Sequence, residues 1–220
     1  MTRIDLNSKP HPDCATKCNK ALRQSITEND LCILLNSVED GLPVRCVGQW
    51  AEQKIYLLYQ YFGIFSEGMK HKWEMNYIEI CSGPGRCISR TYGDEIDGTA
   101  LCVLKHKAFK NINKALFFDF NDTVVNVLNQ RIEQIGAGNA KAFIADYNKV
   151  DELCCKIISE IKPESLNLVL IDPKKIGFNH FDIESVNHYY DILFAAGHEK
   201  AIEFWNKATA IKYNGQRSLF

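Results

Sequence analysis

Gly83-Pro84-Gly85 closes an apolar run, Asn76-Tyr-Ile-Glu-Ile-Cys81, and acids stand at the ends of three later runs: Asp119, Asp146 and Asp172. Glycines at 83 and 85 permit a sharp bend and let a ligand approach the backbone with no Cβ in the way. An acid that closes a strand, as Asp119 does, can accept the hydroxyls of a ribose. Asn121, Asp122 or Thr123 is better placed to cap the helix that follows, which leaves Asp119 for a ligand. Asp146 can accept from an adenine amino group, and can equally cap the helix that begins near Lys149. Asp172, followed by Pro173, either simply ends a strand or faces a second reactant, which it could orient or deprotonate. Together these residues describe a pocket for an adenosine-containing ligand.

The pattern narrows the ligand. A nicotinamide site wants G-x-G-x-x-G, and here Cys87-Ile88 follow the second glycine. A phosphate-binding P-loop wants Gly-Lys-Ser/Thr, which the chain lacks. Glu79 lies four residues before Gly83. An acid there suits the cationic S-adenosylmethionine, whose amino group it could hold directly or through water. Arg86 and Arg90 flank the bend and could grip a carboxylate or phosphate, although solvated loop arginines are commoner. The basic run Lys105, His106, Lys107 and Lys110 reads as a solvated helix face. With Lys174 and Lys175 beside it, it would read as a nucleic-acid surface. Cys81, next to the bend, reads as a packing residue rather than a reactive thiol.

The elements that must position these groups follow from periodicity. Trp50, Lys54-Ile55, Leu57-Leu58 and Tyr61-Phe62 recur at helical spacing and predict a helix over about 50–72. Strands are expected over 76–81, 115–119, 140–146 and 166–171, with helices over 123–134 and 149–161 stopped by Gly136 and Pro163. Strands alternating with helices imply an α/β fold, a Rossmann-like open and mostly parallel sheet under an N-terminal helical cover. Residues 1–48 are expected to form an arm or small subdomain, and residues 49–220 the main domain. Four chemical features at the carboxyl ends of four successive strands place the ligand at that rim.

Composition sets the outer bounds. The chain has 220 residues, 46% hydrophobic and 24% charged, which excludes a disordered, collagenous or coiled-coil protein. Its 26 basic and 27 acidic residues leave a net charge of -1, against nucleic-acid binding by bulk electrostatics. No apolar run is long enough to span a bilayer, and residues 1–9 lack the apolar core of a signal peptide. A reducing, cytoplasmic setting is expected, with most of the nine cysteines reduced. Cys102, Cys154 and Cys155 read as small core residues.

The run Tyr77-Ile-Glu-Ile-Cys-Ser-Gly-Pro-Gly85, with Glu95-Ile-Asp-Gly-Thr-Ala-Leu101 after it, resembles the three-Cys-motif partner family. Gly48-Gln-Trp-Ala-Glu-Gln-Lys54, Tyr59–Tyr61, Phe204-Trp205 and Gly215-Gln-Arg-Ser-Leu-Phe220 are similar to other parts of that family's pattern. The resemblance implies a class I S-adenosylmethionine-dependent methyltransferase fold. Glu79, Gly83, Gly85, Asp119 and Asp146 would hold the cofactor, and Asp172 would act on the acceptor. The chain departs from the family at Cys81-Ser82, where Phe-Ala is common, and at Lys174-Lys175. Two lysines there cannot stack on a flipped base, so base methylation is not indicated.

Cys14 and Cys18, a C-x3-C pair, could join Cys32 and Cys46 in a zinc site, with His11 as a substitute ligand. Only one close pair is present, where strong zinc signals carry two. Two functions are carried forward. One is a methyltransferase with an unassigned acceptor. The other is a methyltransferase-fold module that has lost its chemistry and serves as a partner protein.

Overall fold

The computed structural model describes residues 8–14, 27–28, 31–32, 34–90, 92–172 and 189–194. Four short strands open the chain: β1 (Lys9–Pro10), β2 (Thr27–Glu28), β3 (Leu31–Cys32) and β4 (Arg45–Val47). They lead into the long helix α1 (Gln49–Met69). Then come β5 (Met75–Ile80), β6 (Arg86–Ser89), β7 (Asp94–Asp97) and the short helix α2 (Thr99–Leu104). The remainder alternates: β8 (Ile112–Asp119), α3 (Asp122–Ile135), β9 (Ala140–Ile144), α4 (Val150–Glu160), β10 (Leu166–Ile171) and β11 (Tyr189–Phe194). Among the described residues no helix is long and apolar enough to cross a membrane.

The apolar runs assemble into a five-stranded sheet, order β11-β10-β5-β8-β9, parallel at every pairing. β5 is buried at all six positions, as a strand in the middle of a two-sided parallel sheet must be. From β5 the chain winds outward through β8 to β9. It then crosses back to lay β10 on the other flank of β5, with β11 beyond. Such a reversal leaves a crevice at the carboxyl ends of the two strands where it occurs.

Both faces of this sheet are covered. On one, Leu58, Phe62 and Phe65 of α1 pack with Leu101 and Leu104 of α2 and Leu128 and Ile132 of α3 against Tyr77 and Phe117. On the other, Leu153 and Ile157 of α4 pack against Ile78, Ile80, Phe118 and Val169. The boundaries of α3 have local causes. Asn121 Oδ1 accepts from the Val124 N–H at 3.2 Å, and Gly136 ends the helix in the left-handed region.

A second sheet, order β1-β7-β6-β4, is mixed, with β4 parallel to β6 and the other pairings antiparallel. The molecule is thus a mixed α/β fold with parallel and antiparallel sheets. Periodicity does not predict β6 or β7, because Asp94-Glu-Ile-Asp97 looks like a solvated loop. All four of its residues are buried. The charges are paired inside: Arg86 lies 3.2 Å from Glu95 and 3.6 Å from Asp97, and Lys105 lies 2.8 Å from Asp97.

The zinc expectation for the N-terminal cysteines is overturned. Among the described residues no group of His, Cys, Asp or Glu could hold a metal ion. Cys14 and Cys32 pack into a small core with Leu35, Val44 and Ile88. His11 is spent on the backbone: its Nε2 meets Asn36 O at 2.9 Å and its Nδ1 accepts from the Asp13 N–H at 3.3 Å. Cys46 lies on β4, opposite Ile88 of β6. Cys18 lies outside the described residues, as do Pro173, Lys174, Lys175, Phe204, Trp205 and 215–220.

Arg131 ties the layers together. It points inward from α3 with 1% of its surface exposed. Its Nε and Nη2 donate to the Asp40 carboxylate at 2.8 and 3.0 Å, and its Nη1 donates to Pro84 O at 2.6 Å. Removing one partner of a buried ion pair strands the other charge, at a cost of about 3–5 kcal/mol. Asp40→Ala is therefore expected to lower the urea unfolding midpoint by the equivalent of about 3–5 kcal/mol. A loss below about 1 kcal/mol, the scale of an exposed pair, would contradict this account of Arg131.

Candidate functional site at the carboxyl rim

After β5 the backbone enters the left-handed region three times within five residues: Cys81 at φ 67°, Gly83 at 67° and Gly85 at 92°. Glycine tolerates this; Cys81, which carries a Cβ, does so at a cost on the order of 1 kcal/mol. The bend is fixed to β8 by Cys81 N–H and Ser82 N–H, which donate to Phe118 O at 2.8 and 3.0 Å. Burial pushes the Cys81 thiol up to about 12, with the Asp119 charge adding to it. It is a packing thiol rather than a nucleophile.

Asp119 grips the bend from beneath. Its Oδ2 accepts from the Gly83 N–H at 3.0 Å, and its Oδ1 accepts from the Asn121 N–H at 3.3 Å. Arg45, from β4, brings Nη2 to 3.9 Å from the same Oδ2. Its guanidinium also crowds Gly83, where a Cβ would lie 2.9 Å from Nη1.

Gly83, Gly85 and Asp172 line one hollow of about 340 Å³, part of it open to solvent, together with Ser82, Thr99, Arg45 and Lys54. Lys54, from α1, forms an ion pair with the Asp172 carboxylate. Ser82 is 6% exposed, and its Oγ has no hydrogen-bond partner among the described residues.

Glu79 does not line this hollow. It lies beneath, accepting from Tyr77 Oη at 2.9 Å and from the Thr99 hydroxyl. Burial pushes its carboxyl up to about 7, against the hydrogen bonds from Thr99 and Tyr77 that favour the charged form. Asp146 stands apart and exposed beyond β9, where it accepts from the Asn148 N–H at 2.9 Å. The structure therefore brings Gly83, Gly85 and Asp172 together, sets Asp119 and Glu79 directly behind them, and leaves Asp146 outside the group.

Arg45, Lys54, Ser82 and Thr99 are site residues that sequence reasoning did not single out as ligand groups. Phe120 and Ile144, 52% and 62% exposed, do not line the hollow but stand at adjoining positions of the rim, where Asp119 pairs with Ile144. An exposed aromatic directly after a strand-closing acid is a signal the sequence does carry. A lone Arg or Lys well upstream of the bend in sequence is not.

The comparisons with known proteins add little. No family model and no curated protein matches the chain. Among solved structures, a protein of Escherichia coli described as a methyltransferase, yhhF, has 13% identity and a TM-score of 0.40, covering 66% of this chain and 69% of its own. A protein of Methanococcus maripaludis described as an S-adenosyl-L-methionine-dependent methyltransferase has 12% identity and a TM-score of 0.35, covering 72% and 68%. At these scores the likeness says nothing about site or activity. The resemblance to the three-Cys-motif partner family is not upheld, since the described residues hold no metal-binding cluster and no family model matches.

Glu79 has a measurable signature. Its carboxyl titrates at an ordinary value of 4.5 when exposed and at about 7 in the fold, so the folded state holds the proton more tightly. The stability it contributes is complete below 4.5 and is lost as the pH rises through about 7. Relative to the wild type, Glu79→Gln should thus gain stability between those limits, by a few kcal/mol on the order set by 1.36 per pKa unit. Urea titrations of both proteins across pH 4–8 check this, and parallel profiles would refute the buried, high-titrating carboxyl.

Proposed function

We propose that the chain binds S-adenosylmethionine in the crevice between β5 and β10 and transfers its methyl group to an acceptor. The observation that carries this reading is a coincidence of two features. The winding of the parallel sheet reverses between β5 and β10, and the left-handed bend at 81–85 lies at that reversal.

The residues fit an adenosyl group along the rim. Asp119 has oxygens with two N–H donors already bound and lone pairs to spare for ribose hydroxyls. Exposed Phe120 and Ile144 offer apolar surface to a base, and Asp146 lies beyond them for an adenine amino group. Ser82 supplies an unsatisfied hydroxyl inside the hollow. Glu79 acts through Thr99 rather than by direct contact. What such a cofactor supplies is a methyl carbon already activated by positive sulfur, so the protein contributes mainly alignment. Asp172, held by Lys54, is the group that would orient the acceptor.

A specific observation favours a second reading, a binding module without transfer. Arg45 stands over Gly83, and Lys54 occupies the carboxylate that would serve the acceptor.

Calorimetry with S-adenosylmethionine separates these. Binding by the wild type is expected, with Asp119→Asn weaker by about tenfold or more, the scale of a lost charged hydrogen bond. No binding by folded wild type overturns the proposal. Binding with no transfer of labelled methyl to any component of a cell extract selects the module.

A further inference from the structure

We propose that Glu79 makes cofactor binding proton-linked: it is neutral in the ligand-free protein at slightly acid pH, and it gives its proton to solvent when a ligand of net positive charge enters the hollow at Thr99. The inference rests on the S-adenosylmethionine reading above and assigns the charge that the site adopts to meet that cofactor.

The charged side chains at the bend and its hollow cancel in pairs. Lys54 is paired with the Asp172 carboxylate, and Arg45 brings Nη2 to 3.9 Å from Asp119 Oδ2. With Glu79 neutral, the hollow therefore has no negative charge left over for a cation. Glu79 is the group that can supply one. It is fully buried, and its oxygens accept from two neutral hydroxyls, Tyr77 Oη at 2.9 Å and Thr99 Oγ1. Across the sheet it faces only apolar neighbours, Phe117 of β8 and Leu170 of β10. The other titratable or charged groups that act on it or feel its charge are Cys81 after β5, Cys102 of α2, Lys54 of α1 and Asp172 after β10. Burial pushes its carboxyl up to about 7 and the Asp172 charge adds to this, while Thr99, Tyr77 and Lys54 act against it.

Thr99 connects this carboxyl to the ligand space, because it also lines the hollow. A hydroxyl has one hydrogen and two lone pairs. Beside a charged Glu79 it donates inward and keeps lone pairs for a ligand; beside a protonated Glu79 it can accept inward instead. A net positive ligand next to Thr99 favours the charged carboxylate, and strongly so in a site shielded from water. S-adenosylmethionine has that net charge, since its positive sulfur and ammonium outweigh its one carboxylate. S-adenosylhomocysteine lacks the positive sulfur and is neutral overall.

Calorimetry of the full chain in two buffers of different ionisation heat counts the protons released on binding. With S-adenosylmethionine near pH 6, the wild type is expected to release close to one proton. Its affinity should fall by about tenfold as the pH drops from about 7 to about 6, the linkage expected of one proton. S-adenosylhomocysteine should release far less. Glu79→Gln, which fixes the neutral form, should release none and bind S-adenosylmethionine with the same affinity across this range. Binding by the wild type without proton release overturns this inference and leaves the methyltransferase reading standing. Equal release with S-adenosylhomocysteine overturns it too, as does release that persists in Glu79→Gln. If Glu79→Gln does not fold, the wild-type comparison of the two ligands decides alone. No binding of S-adenosylmethionine by folded wild type at any pH overturns the methyltransferase reading, and this inference with it.

Discussion

A chain bend in the left-handed region is unfavourable unless its surroundings hold it, and here two buried side chains do so from opposite sides. Asp119 takes the Gly83 N–H, and Arg131 donates to the Pro84 carbonyl while its own charge is met by Asp40. The crevice exists because these two contacts fix the bend against β8 and α3. Each contact is electrostatic and shielded from water, so each would be costly to leave half made. Gly98 N–H adds a third tie, to Gly85 O at 2.7 Å, which joins the mixed sheet to the bend.

The parallel sheet was legible because its strands are apolar runs punctuated by turn residues. The expected strand over 166–171 coincides with β10, and the expected helix over 123–134 differs from α3 by one residue at each end. β8 begins at Ile112, earlier than expected, because Asn113 and Lys114 are polar while the backbone continues the ladder with β5. The mixed sheet was hidden for a different reason. Hydropathy reads Arg86, Glu95 and Asp97 as solvated, and it cannot see that they neutralise one another in the interior.

The site was legible in the same uneven way. A bend after one strand and acids after the next ones define a rim, and the rim is where Gly83, Gly85, Asp119 and Asp172 lie. What no local pattern conveys is which side chains from elsewhere reach into it. Arg45 arrives on a strand of the other sheet, and Lys54 on the covering helix. The C-x3-C spacing misled because cysteine is chemically two residues: a metal ligand when clustered and a small apolar filler when set among Leu35, Val44 and Ile88.

Arg131 and Asp40 are 91 positions apart, and Lys54 and Asp172 are separated by 118. Closing such large loops costs entropy before any contact repays it, so neither union can form from local chain alone. On the ribosome, no crevice can be complete until the polypeptide has been made as far as Asp172. The earlier-made bend must wait, with its left-handed residues unsupported, for partners still to be translated.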